Sequence, residues 1–331
     1  MTARGPSLPS AGVLRRRALN HPGFPIYVIL LITWCVAWTV APSFRAPNNL
    51  QNLLIQTVAF ALAGLAQTFV ILAGDVDLSV GGIISIVECA LPLIMRNNTG
   101  SILLSCALLL AFGTVLGLLS GFLVTRIRVE PMVLTLAINF SLLGFALFLM
   151  PFPDYSKVIP KAFIQAVTGK VGPIQTAVFA TVAIAAVSWY VIYRTRFGLH
   201  LRAIGADKET AFRAGIKADR IRIITHGITG FLAAVTGLFL AGRMGTGDPT
   251  AGANFSLDSM TAAVAGGTLF STGVGSVVGT IGGAFLIVIL GNVFNHLGVS
   301  TFFQYVLRGL LLVFAVAAGA VKKKYQESRG S

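Results

Sequence analysis

The side chains of this chain that could do chemistry lie inside long apolar segments, where polar groups are costly and often functional. Two of them are charged, Glu88 and Arg308. At a rise of about 1.5 Å per residue, their backbones would differ by about 9 Å in depth, which two long side chains can span. A structural ion pair is one interpretation, snorkelling of each charge to the nearest surface is a second, and a proton relay is a third.

Uncharged polar residues of the same segments form a second set of candidates. A hydrophilic solute that crosses a membrane needs hydrogen-bonding groups along its path, although such groups also join neighbouring helices. The polar residues are Gln56, Thr57, Gln67, Asn139, Ser141, Asn292, Asn295 and Gln304. Aromatic rings at Phe60, Phe140 and Phe145 could stack on a ring-shaped solute. We assign the candidate translocation path to Gln56, Phe60, Asn139, Asn292 and Asn295.

Sequence motifs for catalysis, nucleotide binding and metal binding are missing. The chain has no Gly-x-x-x-x-Gly-Lys-[Ser/Thr] loop, no His-Glu-x-x-His, no Gly-x-Ser-x-Gly and no Cys-x-x-Cys. Its four histidines lack the spacing of metal ligands, and its three cysteines do not form a disulfide framework. We therefore assign no catalytic residue and no metal ligand, and we expect no cofactor on this chain and no enzymatic activity.

The elements that position these residues are predicted to be membrane-spanning helices. Of the 331 residues, 55% are hydrophobic and only 11% are charged, whereas soluble domains carry about 25% charge. A span needs about 20 apolar residues. The predicted fold is all-α, with about ten transmembrane helices at residues 26–40, 50–72, 80–95, 102–125, 132–150, 174–193, 223–241, 259–270, 277–296 and 302–321. The third and eighth segments are short for a full span.

The distribution of Lys and Arg predicts the orientation in the membrane. With ten crossings both termini share one side, and eighteen Lys and Arg residues fall on that side against six on the other. Cytoplasmic loops collect Lys and Arg, so both termini are expected in the cytoplasm of a bacterial inner membrane. The same bias accounts for the net charge of +14, so the lipid bilayer and not a nucleic acid is the expected partner.

These features divide the chain into three parts. Residues 1–24 form a basic cytoplasmic tail, residues 25–321 the transmembrane domain, and residues 322–331 a second basic tail. Arg15, Arg16 and Arg17 before an apolar stretch also resemble a signal peptide cleaved near Ala41. A retained first span is favoured, because the rest of the chain is already polytopic.

Two rows of glycine indicate an internal repeat. Small residues at every fourth position share one helix face and allow two backbones to approach closely. The rows are Gly113, Gly117 and Gly121, and Gly275, Gly279 and Gly283. They suggest that spans two to five repeat as spans seven to ten. Since five spans separate the halves, the repeats would be inverted, a common plan in transporters.

The longest cytoplasmic connection, residues 194–222, contains a predicted short helix. Asp207 is suited to cap its start and Gly215 to end it. A helix of one or two turns is marginal alone. It therefore either docks on a partner or is a capped turn in a solvated loop.

Four stretches in order resemble the permeases of ribose-type ABC importers. ILAGDVDLSVGGIISI at residues 71–86 carries the Asp-Leu-Ser-Val-Gly signature, and RFGLHLRAIGADKETAFRAGI at residues 196–216 is similar to the cytoplasmic coupling segment of that family. Residues 248–280 and 296–304 resemble two further family regions. The resemblance covers most of residues 50–321. Asp75 departs from it, as an additional acid where many members have a Gly-Gly-Ile-like run.

The resemblance implies the following assembly. Two permease subunits, identical or related, form the pore, two copies of a separate ATPase bind ATP and Mg on the cytoplasmic face, and a periplasmic binding protein delivers a monosaccharide near residues 151–173 and 245–257. The short helix becomes the coupling helix, with Asp207, Lys208, Glu209, Ala211, Phe212, Arg213 and Gly215. The turn of Asp77, Ser79 and Gly81 would act in gating or be purely structural, with Ser79 as a helix cap.

An ion- or proton-driven secondary transporter of a small polar solute is the alternative function. It needs a titratable or cation site within the membrane. Glu88 is the candidate for that site.

Overall fold

The computed structural model describes residues 23–154 and 159–330, which fold almost entirely as α-helix. Most of the predicted N-terminal tail and Lys157 lie outside the described residues. A 3₁₀ turn covers Pro42–Arg45, a π-helical turn Leu123–Ile127, and a two-stranded antiparallel hairpin pairs β1 (Lys170–Val171) with β2 (Ile174–Gln175). The helices are α1 Phe24–Val40, α2 Pro47–Leu72, α3 Val80–Ile94, α4 Thr99–Phe122, α5 Pro131–Leu149, α6 Lys161–Thr168, α7 Thr176–Arg194, α8 Arg196–Ala206, α9 Lys208–Arg213, α10 Ala218–Met244, α11 Phe255–Ala265, α12 Val277–His296 and α13 Thr301–Gly330.

Within the described residues, six helices are long and apolar enough to cross a membrane, namely α2, α4 with its π-helical end, α5, α7, α10 and α12. Helices α1 and α3 and the segment Thr301–Phe314 of α13 are apolar but shorter. The chain is thus a multi-pass membrane protein.

The predicted segment 259–270 differs from the structure. Helix α11 occupies Phe255–Ala265, only 11 residues, or about 16 Å at 1.5 Å per residue. It ends at Gly266, and the following Gly267 has a φ of 92°. The Gly-Gly pair therefore ends the helix well before it could cross a bilayer core of about 30 Å.

Helix starts follow from local sequence. Pro47 and Pro131 occupy the first turns of α2 and α5, where the fixed φ of proline suits a helix and its missing N–H costs nothing. Asn98 and Ser276 cap α4 and α12, each with a side-chain oxygen that accepts a backbone N–H three residues on.

Helices α2, α10 and α12 form the centre of the bundle. About three quarters of their apolar spans is buried, 78%, 72% and 72%, against 22% for α4 and for α5 and 28% for α7. Helix α10 packs along α4, α2 and α3, and α12 packs along α2 and α11. The outer helices therefore keep broad faces for lipid or for another subunit.

Five of the six glycines in the two rows face a neighbouring backbone; the exception, Gly275, lies before α12 and meets the side chains of Leu72 and Thr268. A Cβ on Gly117 would overlap the carbonyl of His226 in α10, and a Cβ on Gly113 would come within 2.7 Å of the carbonyl oxygen of Gly230. In the second row, a Cβ on Gly283 would overlap the Ala262 carbonyl in α11. These rows let α4 and α12 lie directly against their partners.

Candidate functional site

The beginning of α3 and the loop before α11 meet inside the bundle. Gly81, in the first turn of α3, faces Gly252, three residues before α11, so closely that a Cβ on either would overlap the carbonyl oxygen of the other. The N–H of Gly252 donates to Ser85 Oγ in α3 at 3.0 Å. The first turn of α3 and the chain that leads into α11 are thus in direct contact. We call this contact the helix junction.

Side chains satisfy the backbone amides of the helix junction. Asn139 Oδ1, on α5, accepts from the N–H of Gly82 at 2.7 Å. The Ser256 hydroxyl accepts from the N–H of Gly81 at 3.2 Å and donates to the carbonyl of Leu78 at 2.6 Å. The first amides of a helix have no partner inside the helix, so these bonds hold the junction together and occupy the N–H groups of Gly81 and Gly82.

The Asp77–Ser79 turn differs from the prediction in one respect. Ser79 does stand at the N-cap position of α3, but its side chain makes no capping bond. Its hydroxyl and its N–H both donate to Asp77 Oδ1, at 2.6 Å and 2.9 Å. The Ser79 oxygen accepts none of the first N–H groups of α3, so the expectation of a Ser79 cap is wrong. The Asp77 carbonyl in turn accepts from Gln67 Nε2 at 2.5 Å.

A buried cluster of charged residues lies beside this turn. The guanidinium of Arg222, on α10, donates to both carboxylate oxygens of Asp75, at 2.7 Å from Nε and 2.5 Å from Nη2. His226, one turn further along α10, places Nδ1 3.1 Å from Asp77 Oδ2 and Nε2 3.5 Å from Asp75 Oδ2. None of the four residues is more than 8% exposed. We call them the Asp75–Arg222 cluster.

Glu88 and Arg308 do not meet. Arg308 Nη1 pairs instead with Asp258 Oδ2, on α11, at 2.8 Å. Glu88 is fully buried in α3, and among the described residues neither of its carboxyl oxygens has a hydrogen-bond partner. Helix α3 packs on α10 and α5, whereas α13 packs on α11. Depth in a membrane does not determine which side of the bundle a residue faces, and of the three interpretations the Glu88–Arg308 ion pair is wrong.

The candidate path residues lie in three places. Asn139 belongs to the helix junction. Phe60 stacks on Phe255, with ring centroids 4.8 Å apart, and Gln56 lies one turn before it on α2, half-buried. At the far end of α12, Asn292 exchanges two side-chain hydrogen bonds with Asn49, of 2.8 and 3.1 Å.

The remaining path candidate, Asn295, accepts from Gln304 Nε2 at 2.9 Å and is exposed. Two of the five path candidates, Asn139 and Asn292, are therefore buried and engaged by other groups of the protein. Ser141 donates to the Ala137 carbonyl at 2.9 Å, a bond within its own helix.

Helix α9 has the cap and the stop that the sequence predicts. Asp207 Oδ1 accepts from the N–H groups of Glu209 and Thr210, at 2.9 and 3.1 Å. Gly215 follows the helix with a φ of 80°. Hydrogen bonds from the hydroxyl and the N–H of Thr210 hold the pKa of the Asp207 carboxyl below its usual value. Local contacts therefore define both ends of the helix.

The exposure of Phe212 and the burial of Ala211 show which face of α9 points to the surface. Phe212 is 71% exposed, while Ala211 is 4% exposed and packs with Ile204 and Ala218. An exposed Glu209–Arg213 pair at 3.3 Å flanks the helix, and Lys208 lies at its exposed start. The phenyl ring thus stands on the surface with no apolar cover among the described residues.

An open cleft of about 1390 Å³ lies beside α9. It is lined by the π-helical end of α4, the start of α5, α9 and the first turn of α10. Its lining contains Arg126, Arg128, Lys217 and Arg220, and it reaches Arg222 of the buried cluster. The cleft offers a basic recess next to an exposed aromatic ring.

Several of these residues could not be found from sequence reasoning. Arg222 falls within the predicted loop 194–222, but α10 begins at Ala218 and includes it. Asp75 stands out in the sequence only as a departure from a family motif. The pairing of the two crosses 147 positions, and no local pattern encodes it. No group of three or more His, Cys, Asp or Glu residues in the described part of the chain is arranged to hold a metal ion.

The fold and the site define a multi-pass helical membrane protein with a junction of two short helices at its centre and a capped, exposed helix on one side. A family model described as "Branched-chain amino acid transport system / permease component" matches residues 49–316, and the chain belongs to this family.

Individual relatives agree with this assignment. The ribose import permease protein of Haemophilus influenzae is 30% identical, over 88% of this chain and 91% of its own length. That of Bacillus subtilis is 33% identical over 87% and 89%. The galactose/methyl galactoside import permease protein of Escherichia coli is 28% identical over 90% and 94%. These matches confirm the resemblance read from the motifs. No solved structure matches the chain.

Proposed function

We propose that this chain is the membrane-spanning subunit of an ATP-driven importer for a monosaccharide, placed in a bacterial inner membrane with both termini in the cytoplasm. Its partners are a second permease subunit, two copies of a separate ATPase and a periplasmic solute-binding protein. The chain itself binds no cofactor, and ATP and Mg belong to the ATPase. Relatives named for ribose and galactose import support a sugar as the solute.

The observation that carries this proposal is the exposure of the Phe212 ring on the surface of α9. A phenyl ring that is 71% exposed on a capped helix offers an apolar anchor for another protein. The adjacent basic cleft gives that protein a recess to enter. We assign Asp207, Lys208, Glu209, Ala211, Phe212, Arg213 and Gly215 to the coupling helix that docks on the ATPase.

An inverted repeat with about ten crossings fits the packing. Each half has a long helix ended by a glycine in the left-handed region, Gly74 at 84° and Gly245 at 76°, then a short helix, α3 or α11. The next helix of each half packs on the long helix of the other half: α4 on α10, and α12 on α2. In this arrangement α11 contributes only part of a crossing. An arrangement of about ten crossings implies a membrane domain at residues 25–321, with tails at residues 1–24 and 322–331.

The helix junction then moves as one rigid unit during alternating access. Its amides are bonded, so the Asp77, Ser79 and Gly81 turn holds structure and does not bind the solute. The solute path runs along the exposed faces of α5 and α13, which rest on the two short helices. Five candidate side chains border that path: Asn139, Gln56 and Phe60, and at one end Asn292 and Asn295.

Purification of the tagged chain from native membranes tests the proposal. A co-purifying ATPase, together with a binding protein that carries a monosaccharide, would support it. Purification of a functional chain without either partner would contradict it. Orientation is tested by single cysteines at Thr210, in α9, and at Val171, in the hairpin, which membrane-impermeant reagents should label from opposite sides of the membrane.

A further inference from the structure

The Asp75–Arg222 cluster has no part in the function proposed so far. A buried ion pair is weak evidence for stability, because the cost of desolvation offsets the attraction, and packed apolar side chains often do as well. Arg222 is four residues from the start of α10, on the wall of the cleft beside α9. Its partner Asp75 directly follows Gly74, just beyond the end of α2.

The cluster therefore joins two particular places. One is the first turn of α10, about 6 Å along the helix axis from the end that carries α9. The other is the irregular segment 73–79 that leads into α3. His226 extends the same link, since it contacts Asp75 and also Asp77, and Asp77 holds Ser79 at the start of α3. A displacement of the first turn of α10 would act directly on the entry to the helix junction.

Helix α8, which precedes α9, contacts the same region. A Cβ on Gly205, near its end, would overlap the carbonyl of Leu72, the last residue of α2. Likewise, a Cβ on Gly273, in the loop before α12, would overlap the carbonyl of Arg202 in α8. Helix α8 is therefore in close contact with the end of α2, which leads towards α3, and with the chain that enters α12.

We propose that Asp75 and Arg222 are positioning residues that transmit movement of the coupling helix to the helix junction, with His226 and Asp77 completing the link. The proposal rests on the function proposed above. When the ATPase moves α9, the first turn of α10 moves with it, and the two-pronged Arg222–Asp75 contact carries that motion to residues 73–79. A fork-to-fork contact resists rotation as well as separation, so it suits this task better than a single hydrogen bond.

The test uses the complete importer in proteoliposomes and measures solute transported per ATP hydrolysed. Arg222→Lys keeps the charge but loses the fork, and Asp75→Asn with Arg222→Gln removes both charges together, so that neither variant leaves a single buried charge unpaired. The matched control is Arg96→Gln, an exposed arginine just beyond the end of α3 and outside the cleft. Thermal stability and co-purification of the ATPase are measured for each variant.

We expect the double variant to lose about tenfold in transport per ATP, and Arg222→Lys to lose less, while both keep the ATPase bound. The control should match wild type. If either variant purifies as a monodisperse protein and transports with the wild-type ratio, the pair is merely structural and the proposal is wrong. If wild type itself shows no ATP-dependent uptake with its partners, the proposed function fails, a result distinct from failure of the link.

Discussion

Gly81 and Gly252 lie in mutual van der Waals contact through their backbones, although 171 positions separate them in the sequence. The contact joins the start of α3 to the loop before α11, and a side chain on either glycine would enter the carbonyl of the other. The start of α3 and the loop before α11 thus meet through a backbone-to-backbone contact that leaves no room for a side chain.

Gly252→Ala should destabilise the purified chain. Its Cβ would overlap the Gly81 carbonyl and come within 2.6 Å of Ser85 Oγ, and overpacking of this kind costs about 1–3 kcal/mol. Thermal unfolding in detergent measures the loss. The control is Gly144→Ala on α5, where no atom lies within 4 Å of an added Cβ. Equal stability of the two variants would show that the junction is looser than described.

Phe212→Asp combined with Arg213→Glu should abolish co-purification of the ATPase and ATP-dependent uptake. Both side chains are exposed, so the melting temperature of the permease should stay within a few degrees of wild type. Val171→Asp, a substitution of another exposed apolar residue in the hairpin, is the control and should retain the ATPase. Unchanged docking and uptake in the first variant would refute the coupling-helix assignment.

Asp207→Ala should fray α9, because the N–H groups of Glu209 and Thr210 lose their acceptor. Hydrogen exchange of residues 208–214 should accelerate, whereas Asp207→Asn, which keeps an acceptor, should be close to wild type.

The same cap predicts the pH dependence of α9. The pKa of Asp207 is lowered in the folded chain, chiefly by its bond from the Thr210 hydroxyl. The stabilisation is therefore complete above the ordinary value of about 3.9 and is lost only as the pH falls through the lower folded value. Protection of α9, corrected for intrinsic exchange, should be constant between about pH 6 and about pH 8. A drop in that range would show that another group supports the helix.

Glu88→Gln separates the proposed importer from a proton-driven carrier. The carboxyl oxygens of Glu88 have no hydrogen-bond partner among the described residues, so an amide of the same shape disturbs few contacts. An ATP-driven importer should keep uptake within about twofold, which corresponds to less than 1 kcal/mol. A proton-driven carrier would lose uptake. Loss of uptake in a variant with wild-type stability, together with sensitivity to a protonophore, would favour the carrier.

Features encoded within a few residues could be predicted from the sequence. Asp207 and Gly215 bound α9 because a cap and a left-handed stop depend on their immediate neighbours. The glycine rows were informative for the same reason, since their spacing defines a helix face whatever the partner. Most helices could be predicted from the apolar segments, because the bilayer sets the length and composition of a span.

Pairings across the fold could not be predicted. Arg308 pairs with Asp258 and not with Glu88. This pairing was not predictable, because depth in the membrane does not determine which side of the bundle a residue faces. The Ser79 hydroxyl donates to Asp77 and accepts no N–H group of α3, an orientation that the residue type alone does not decide. The Asp75–Arg222 contact needed the packing of α10 against α2 and α3, which only the whole fold provides.

Reconstitution into liposomes tests the central claim, that this chain is a conduit driven by another protein. With the partner ATPase, the binding protein and internal ATP, the vesicles should accumulate the sugar against its gradient, and omission of the ATPase should abolish accumulation. Concentrative uptake by the chain alone, driven by an ion gradient with no ATPase present, would contradict the account.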